Sequence, residues 1–228
     1  MRILVLNGSP KRDKSDTLHI TYAFLEGMRE VREIETEIIH VIDSNIAYCR
    51  GCFVCKKNGG TCVIRDDMDM ILEKFVQSDA VIYSFPLYSY GMPANLKVLM
   101  DRTMPLSSWA MHRDETGRYG HRYQYDLQNT KYVMICGCGY PNAKQNFEGM
   151  IRQFELKYPE NRTILTVPES PMFNIPQAEP FTKEKLRQLY EAGAEYARNG
   201  ALCGQTLQMV TAPMIPEEIY AQFANKME

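Results

Sequence analysis

The chain has 228 residues, 45% of them hydrophobic and 24% charged, with a net charge of −2 at neutral pH. That balance describes a globular domain and supplies no field to draw in nucleic acid or an anionic membrane. No stretch approaches the roughly 18 apolar residues of a spanning helix, and no basic leader precedes a long apolar run. The expected location is therefore the cytoplasm, where the seven cysteines act as thiols or metal ligands and not as disulfides.

Taken in order, Ile3-Leu4-Val5-Leu6 reads as a short buried strand that Asn7, Gly8 and Pro10 break. A helix follows from about Asp16 to Glu30, carrying Leu18, Tyr22, Leu25 and Met28. Glu35 to Val41 is a second strand, and Asn45 to Ile64 a cysteine-rich loop. The next helix has Met68, Ile71, Leu72, Phe75 and Val76 on one face, with Asp66 as its expected cap. The acidic set Asp66, Asp67 and Asp69 suits a helix start better than a metal site. Ala80 to Ser84 is nearly all apolar, as a central parallel strand is. Pro93 opens a third helix, with Leu96, Leu99 and Met100 inside. Pro105 to Asn129 is an aromatic insert of weak helical period, read as a lid or a dimer-packing arm. Tyr132 to Cys136 is a strand, and Phe147, Met150, Ile151 and Phe154 mark a helix. Thr163 to Val167 is the fifth strand, and a last core helix stops at Gly200. Strand and helix alternating five times mean a doubly wound parallel α/β sheet covered on both faces. The domain is expected over 1–202, with 203–228 an extension whose Ile215, Ile219, Tyr220 and Phe223 stripe packs on the body or a second subunit.

Ligands of such a sheet sit at the carboxyl ends of the strands, beside the point where strand order reverses. Three loops qualify. The first, Asn7 to Thr17, carries the hydroxyls of Ser9, Ser15 and Thr17 and the charge of Lys11, Arg12 and Lys14 at a helix N-terminus, beside Asp16. Unpaired N–H groups and the helix dipole hold phosphate there. The second, Pro86-Leu87-Tyr88-Ser89-Tyr90-Gly91-Met92, can place a flat ring against backbone groups. The third, Gly137-Cys138-Gly139 after Cys136, is glycine-rich with Tyr140 beside it. A phosphate at the first loop and a planar heterocycle between the others describe flavin mononucleotide, FMN.

Cys49, Cys52, Cys55 and Cys62 give C-x2-C-x2-C-x6-C among Gly51, Gly59 and Gly60. Four thiolates at such spacing satisfy a 4Fe–4S cluster or a tetrahedral zinc, and the same residues also serve as small buried hydrophobes. Cys136 and Cys138 point one way off a strand end and suit a tight turn more readily than a flavin contact. His19, His40, His112 and His121 show no metal spacing, and no triad order argues for hydrolysis.

Gly8-Ser9-Pro10-Lys11 with Ser15 and Thr17, Pro86-Leu87-Tyr88, and Leu96-Lys97-Val98-Leu99-Met100-Asp101-Arg102 resemble the flavodoxin-like NAD(P)H-dependent FMN reductases, in the branch of the iron–sulfur flavoproteins. The resemblance spans about residues 1 to 170 and implies strand order 2-1-3-4-5, FMN as cofactor and NAD(P)H as electron donor. It also implies a homodimer or dimer of dimers, with Asp101 and Arg102 near the contact. Ser9, Lys11, Ser15 and Thr17 would hold phosphate; Pro86, Leu87, Tyr88, Ser89 and Gly91 would line the isoalloxazine. The expected activity passes hydride from a nicotinamide through the flavin N5 to a small acceptor (a quinone, azo or nitro compound, or free flavin), so no side-chain acid or base need be essential. The alternative is an electron carrier with FMN plus a 4Fe–4S cluster on the four cysteines, reduced by a redox protein.

Overall fold

Branched apolar residues put β1 (Arg2–Asn7) in the interior of a sheet in a computed structural model that describes residues 1–226. Residues 227 and 228, the end of the expected extension, lie outside the described residues. The chain continues through α1 (Asp16–Val31), β2 (Glu35–His40), α2 (Met68–Gln77), β3 (Ala80–Pro86) and α3 (Ala94–Asp101). Next come β4 (Ser107–Arg113), β5 (Tyr119–Tyr123), β6 (Lys131–Gly137), α4 (Glu148–Lys157) and β7 (Arg162–Val167). The long α5 (Glu179–Asn199) precedes two short helices, α6 (Gly204–Thr211) and α7 (Glu217–Ala224).

The sheet is parallel throughout, in order β2-β1-β3-β6-β7. That is the flavodoxin-like order 2-1-3-4-5 once β4 and β5 are set aside. Those two pair with each other, antiparallel, and form a separate hairpin from the aromatic insert. The hairpin went unread because both its faces are largely exposed and show no core alternation. Its signal is the turn: Asp114 Oδ1 accepts the N–H groups of Thr116 and Arg118, and Gly117 takes φ 87°.

Each face of the sheet buries its own core. Alternate residues Ile3, Val5, Ile82 and Val133 meet Phe24, Met28 and Leu189 of α1 and α5. Leu4, Leu6, Tyr83 and Met134 meet Phe75, Leu96 and Phe154 of α2, α3 and α4. Gly27 and Gly193 let α1 and α5 touch backbone to backbone, since a Cβ on either would lie within 2 Å of a carbonyl oxygen. On the second face Tyr132 and Tyr158 stack with ring centres 3.9 Å apart, and the Tyr158 hydroxyl bonds that of Tyr83. Pro93 caps α3 from outside and does not occupy its first turn, its ψ of 149° being extended. Among the described residues no helix is long and apolar enough to cross a membrane.

Candidate functional site

The loop after β1 is shaped by Asn7. Its buried side chain accepts the N–H of Ser9 at 3.1 Å and meets His40 Nδ1 at 2.9 Å. Arg12 takes φ 53° and reaches out to Asp43 at 2.6 Å. Ser15 is the N-cap of α1 but makes no side-chain capping bond; Leu18 N–H donates to Ser15 O at 3.1 Å, and the amides of Asp16 and Thr17 keep their donors. Ser9, Ser15 and Thr17 are all buried, and the Ser15 and Thr17 hydroxyls lie 2.8 Å apart. Lys11 pairs with Asp16 at 2.8 Å, and Asn174 bonds Asp16 as well. The Asp16 carboxylate is thus turned to its own partners, and at this site the residue offers its backbone N–H.

The other two loops come together beside this one. Leu87 N–H donates to Gly137 O at 2.7 Å, tying the ends of β3 and β6. Ser89 and Tyr90 both have positive φ, 49° and 60°, in a tight turn closed by paired bonds between Tyr88 and Gly91 at 3.0 and 2.9 Å. The turn holds Tyr90 flat against Tyr140, with centres 6.0 Å apart and hydroxyls 3.2 Å apart. At Gly137 only glycine fits, because a Cβ would come 2.7 Å from Ser170 and 2.9 Å from Thr17. Pro86 ends β3 half-buried, while Met92 packs into the core. Cys136 and Cys138 are core residues too; burial pushes the Cys138 thiol up to about 11, which makes it a packing group.

Cys49, Cys52, Cys55 and Cys62 line one cavity, walled by Phe53, Met104, Pro105 and Arg102. Burial, then the nearby Cys62, raises the Cys55 thiol. Arg102 enters this loop from the end of α3. Its buried guanidinium pairs bidentately with Asp66 at 2.7 and 3.0 Å, bonds Ala47 O at 2.7 Å and reaches Cys62 Sγ at 3.7 Å. It therefore braces the cysteine loop from inside. Asp67, and not the expected Asp66, is the N-cap of α2; Asp66, one position earlier, accepts the N–H of Met68 at 3.1 Å and is mainly the counter-ion of Arg102. Burial pushes its carboxyl up, yet Arg102 and the amides of Ala47 and Met68 together pull it below the usual range. The hairpin lies over this loop: Trp109 packs on Phe53 at 5.4 Å, and Lys56 donates to Ser107 O at 2.6 Å. Among the described residues no three Cys, His, Asp or Glu side chains converge as the ligands of a single ion. A 4Fe–4S cluster binds each thiolate at a separate iron, and four cysteines around one cavity fit that demand better than they fit zinc.

Three residues of this region escaped the sequence reading. Glu169 lies buried in the Pro168-Glu169-Ser170-Pro171 turn after β7. Asn142 donates to Glu217 at 2.8 Å. Tyr220 was read only as part of a packing stripe, and that stripe divides: Tyr220 is buried against its own chain, while Ile219 and Phe223 stay exposed.

The architecture is that of flavodoxin-like proteins, with polar loops gathered at the strand ends. The chain belongs to the NADPH-dependent FMN reductase family, whose model matches residues 1–145. An iron–sulfur flavoprotein of Methanocaldococcus jannaschii is 37% identical over 51% of this chain and 59% of its own length. One from Archaeoglobus fulgidus is 29% identical over 66% of this chain and 65% of its own. The chain thus aligns with less than two thirds of either relative. An FMN-dependent NADH-azoreductase from Bacillus anthracis, solved with FMN, shares the fold with a TM-score of 0.60 at 18% identity, over 86% of this chain and 97% of that one.

Proposed function

We propose that this protein is an FMN-dependent NAD(P)H oxidoreductase that passes electrons to a small acceptor such as a quinone, azo or nitro compound, or free flavin. The observation that carries the reading is the uncapped N-terminus of α1, ringed by the buried hydroxyls of Ser9, Ser15 and Thr17. Buried hydroxyls around free amides suit a phosphate dianion, with Lys11 adding charge at the rim. The turn at Pro86, Leu87, Tyr88, Ser89, Tyr90, Gly91 and Met92 and the strand end at Gly137, Cys138 and Gly139 would flank the ring. FMN, when bound, supplies the hydride and single-electron chemistry. The chain's own part is to anchor the phosphate, orient the ring between the two loops and leave one face open to the nicotinamide. Tyr90 and Tyr140 form one wall of that opening. We place the protein in the cytoplasm, and read it as a homodimer because Trp109, Met111, Tyr119, Ile219 and Phe223 are exposed apolar groups.

Replacing Ser15 and Thr17 together by Ala weakens FMN binding by about 10- to 150-fold, the loss of one charge-assisted contact at roughly 1.5–3 kcal/mol. Riboflavin, lacking the phosphate, binds parent and variant alike. Steady-state oxidation of NADH or NADPH by the FMN-loaded protein tests the activity, and its absence overturns the reading.

The cavity lined by Cys49, Cys52, Cys55 and Cys62 supports a second reading, an electron carrier that holds a 4Fe–4S cluster beside FMN and is served by a redox protein. The four thiolates would be the ligands, with Arg102 beside Cys62. Iron and acid-labile sulfide near four each per chain in anaerobic protein, without nicotinamide oxidation, select it.

A further inference from the structure

The family match ends at residue 145, yet the chain beyond α5 returns to the ends of β6 and β7. Two buried charges hold it there. Lys185, 3% exposed, donates to the carbonyls of Met209 at 3.0 Å, Val210 at 3.3 Å and Ala212 at 2.8 Å, closing the end of α6. Glu169 is fully buried; one carboxylate oxygen accepts the N–H of Met214 and the other has no partner. Its φ of 58° is a left-handed conformation that survives in a glutamate only where the surroundings impose it.

Pro216 then starts α7, and the bond from Asn142 to Glu217 fastens that helix to the loop after β6. The Tyr220 ring is buried with Met172 and Ala178. Its hydroxyl stands 4.0 Å from the place a Cβ on Gly139 would occupy. Pro171 comes 3.6 Å from the same place, and Asn174 of that turn donates to Lys14 O at 3.0 Å, so the hydroxyl lies beside the segment that joins the loop after β6 to the start of α1. Burial raises its pKa to about 12, with the Glu169 carboxylate adding to the rise. The hydroxyl has no hydrogen-bond partner among the described residues, but it is not sealed from solvent as those of Tyr132 and Tyr196 are. A donor fixed on a buried ring, free at its tip and beside the loop after β6, is placed to meet a ligand.

We propose that Tyr220 is a cofactor-contact residue: α7 forms a wall of the chain's own flavin site, and the Tyr220 hydroxyl donates to the ribityl phosphate of FMN. Glu169 is the positioning residue that pins the segment leading to it. The inference rests on the FMN reading above, and it assigns part of the site to a segment outside the matched family region.

The test titrates FMN and riboflavin into the full-length parent, Tyr220→Phe and Glu169→Gln, following flavin fluorescence. A parent that binds no FMN overturns the function reading itself, whatever Tyr220 does. With a binding parent, Tyr220→Phe weakens FMN by about 10-fold or more, as losing one bond to a charged group does. Its unfolding midpoint without cofactor stays at the parent value, because no protein partner is lost. Glu169→Gln weakens FMN as well and speeds proteolysis after Ala212. Unchanged FMN affinity in Tyr220→Phe overturns the proposal, whether the midpoint holds, leaving water as the partner, or drops, leaving packing as the role.

Discussion

At the scale of single residues, the pair Arg102–Asp66 decides more than any other contact outside the site. Both side chains are almost wholly buried, and the guanidinium also serves the carbonyl of Ala47 and the sulfur of Cys62. Removing one partner of a buried pair strands the other charge in a medium that cannot solvate it, at a cost of about 3–5 kcal/mol. Asp66→Ala is therefore expected to lower unfolding free energy by that amount in urea titration. Asp101→Ala, which breaks only an exposed pair with Lys97, changes it by less than about 1 kcal/mol. Equal losses in the two variants would show that Arg102 is not the brace of the cysteine loop.

At the scale of elements, buried titratable groups on α4, α5 and the strands shape stability against pH. Burial lowers Lys185 on α5 and the half-buried Lys157 on α4 to about 8 from 10.5. Between those values the unfolded chain binds more protons than the folded one, so both lysines make stability rise with pH above about 8. Cys136 and Cys138 on and after β6 are raised from 9.0, and Tyr83, Tyr132 and Tyr158 from 10.0, all first by burial. These groups hold protons in the fold that the unfolded chain has lost, so their contribution is present below those values and falls away above them. Stability is expected to peak near pH ~9 and to fall steeply beyond ~10. Lys185→Met removes part of the rise and leaves the fall intact. Denaturant titrations at half-unit steps of pH check both, and a parent curve that declines steadily from pH 7 contradicts the assignment.

At the scale of the whole molecule, exposed apolar groups such as Tyr22, Met70, Leu156 and Phe181 are scattered, but two stretches of the described residues carry several, the hairpin with the cysteine loop and the outer face of α7. The first holds Tyr48, Phe53, Trp109, Met111 and Tyr119, and the second Ile219 and Phe223. A homodimer that covers them is expected, with a light-scattering mass near twice 26.3 kDa at micromolar concentration. Replacing Trp109 and Met111 by Ser shifts the mass toward the monomer if the hairpin is the contact. A parent that runs as a monomer sinks the dimer.

The five strands, their helices and the hydroxyl-bearing loop before α1 were legible in the sequence because their signals are local. Apolar periodicity tells a strand from a helix within a few residues, and Asn7, Gly8 and Pro10 mark where the first strand must stop. The meeting of Gly137 with Thr17, by contrast, needed the sheet to bring two strand ends together. Tertiary structure alone turned Arg102 inward to Asp66, 36 residues away, and bound Glu169 to Met214 across 45 residues. It also sent Cys138 into the core and brought the Tyr220 hydroxyl to the loop after β6, beside Gly139. An arginine in a helix or a glutamate in a turn looks the same in sequence whether it ends in water or in the core. Only the distant group that arrives beside it sets its burial, and with it its charge state and role.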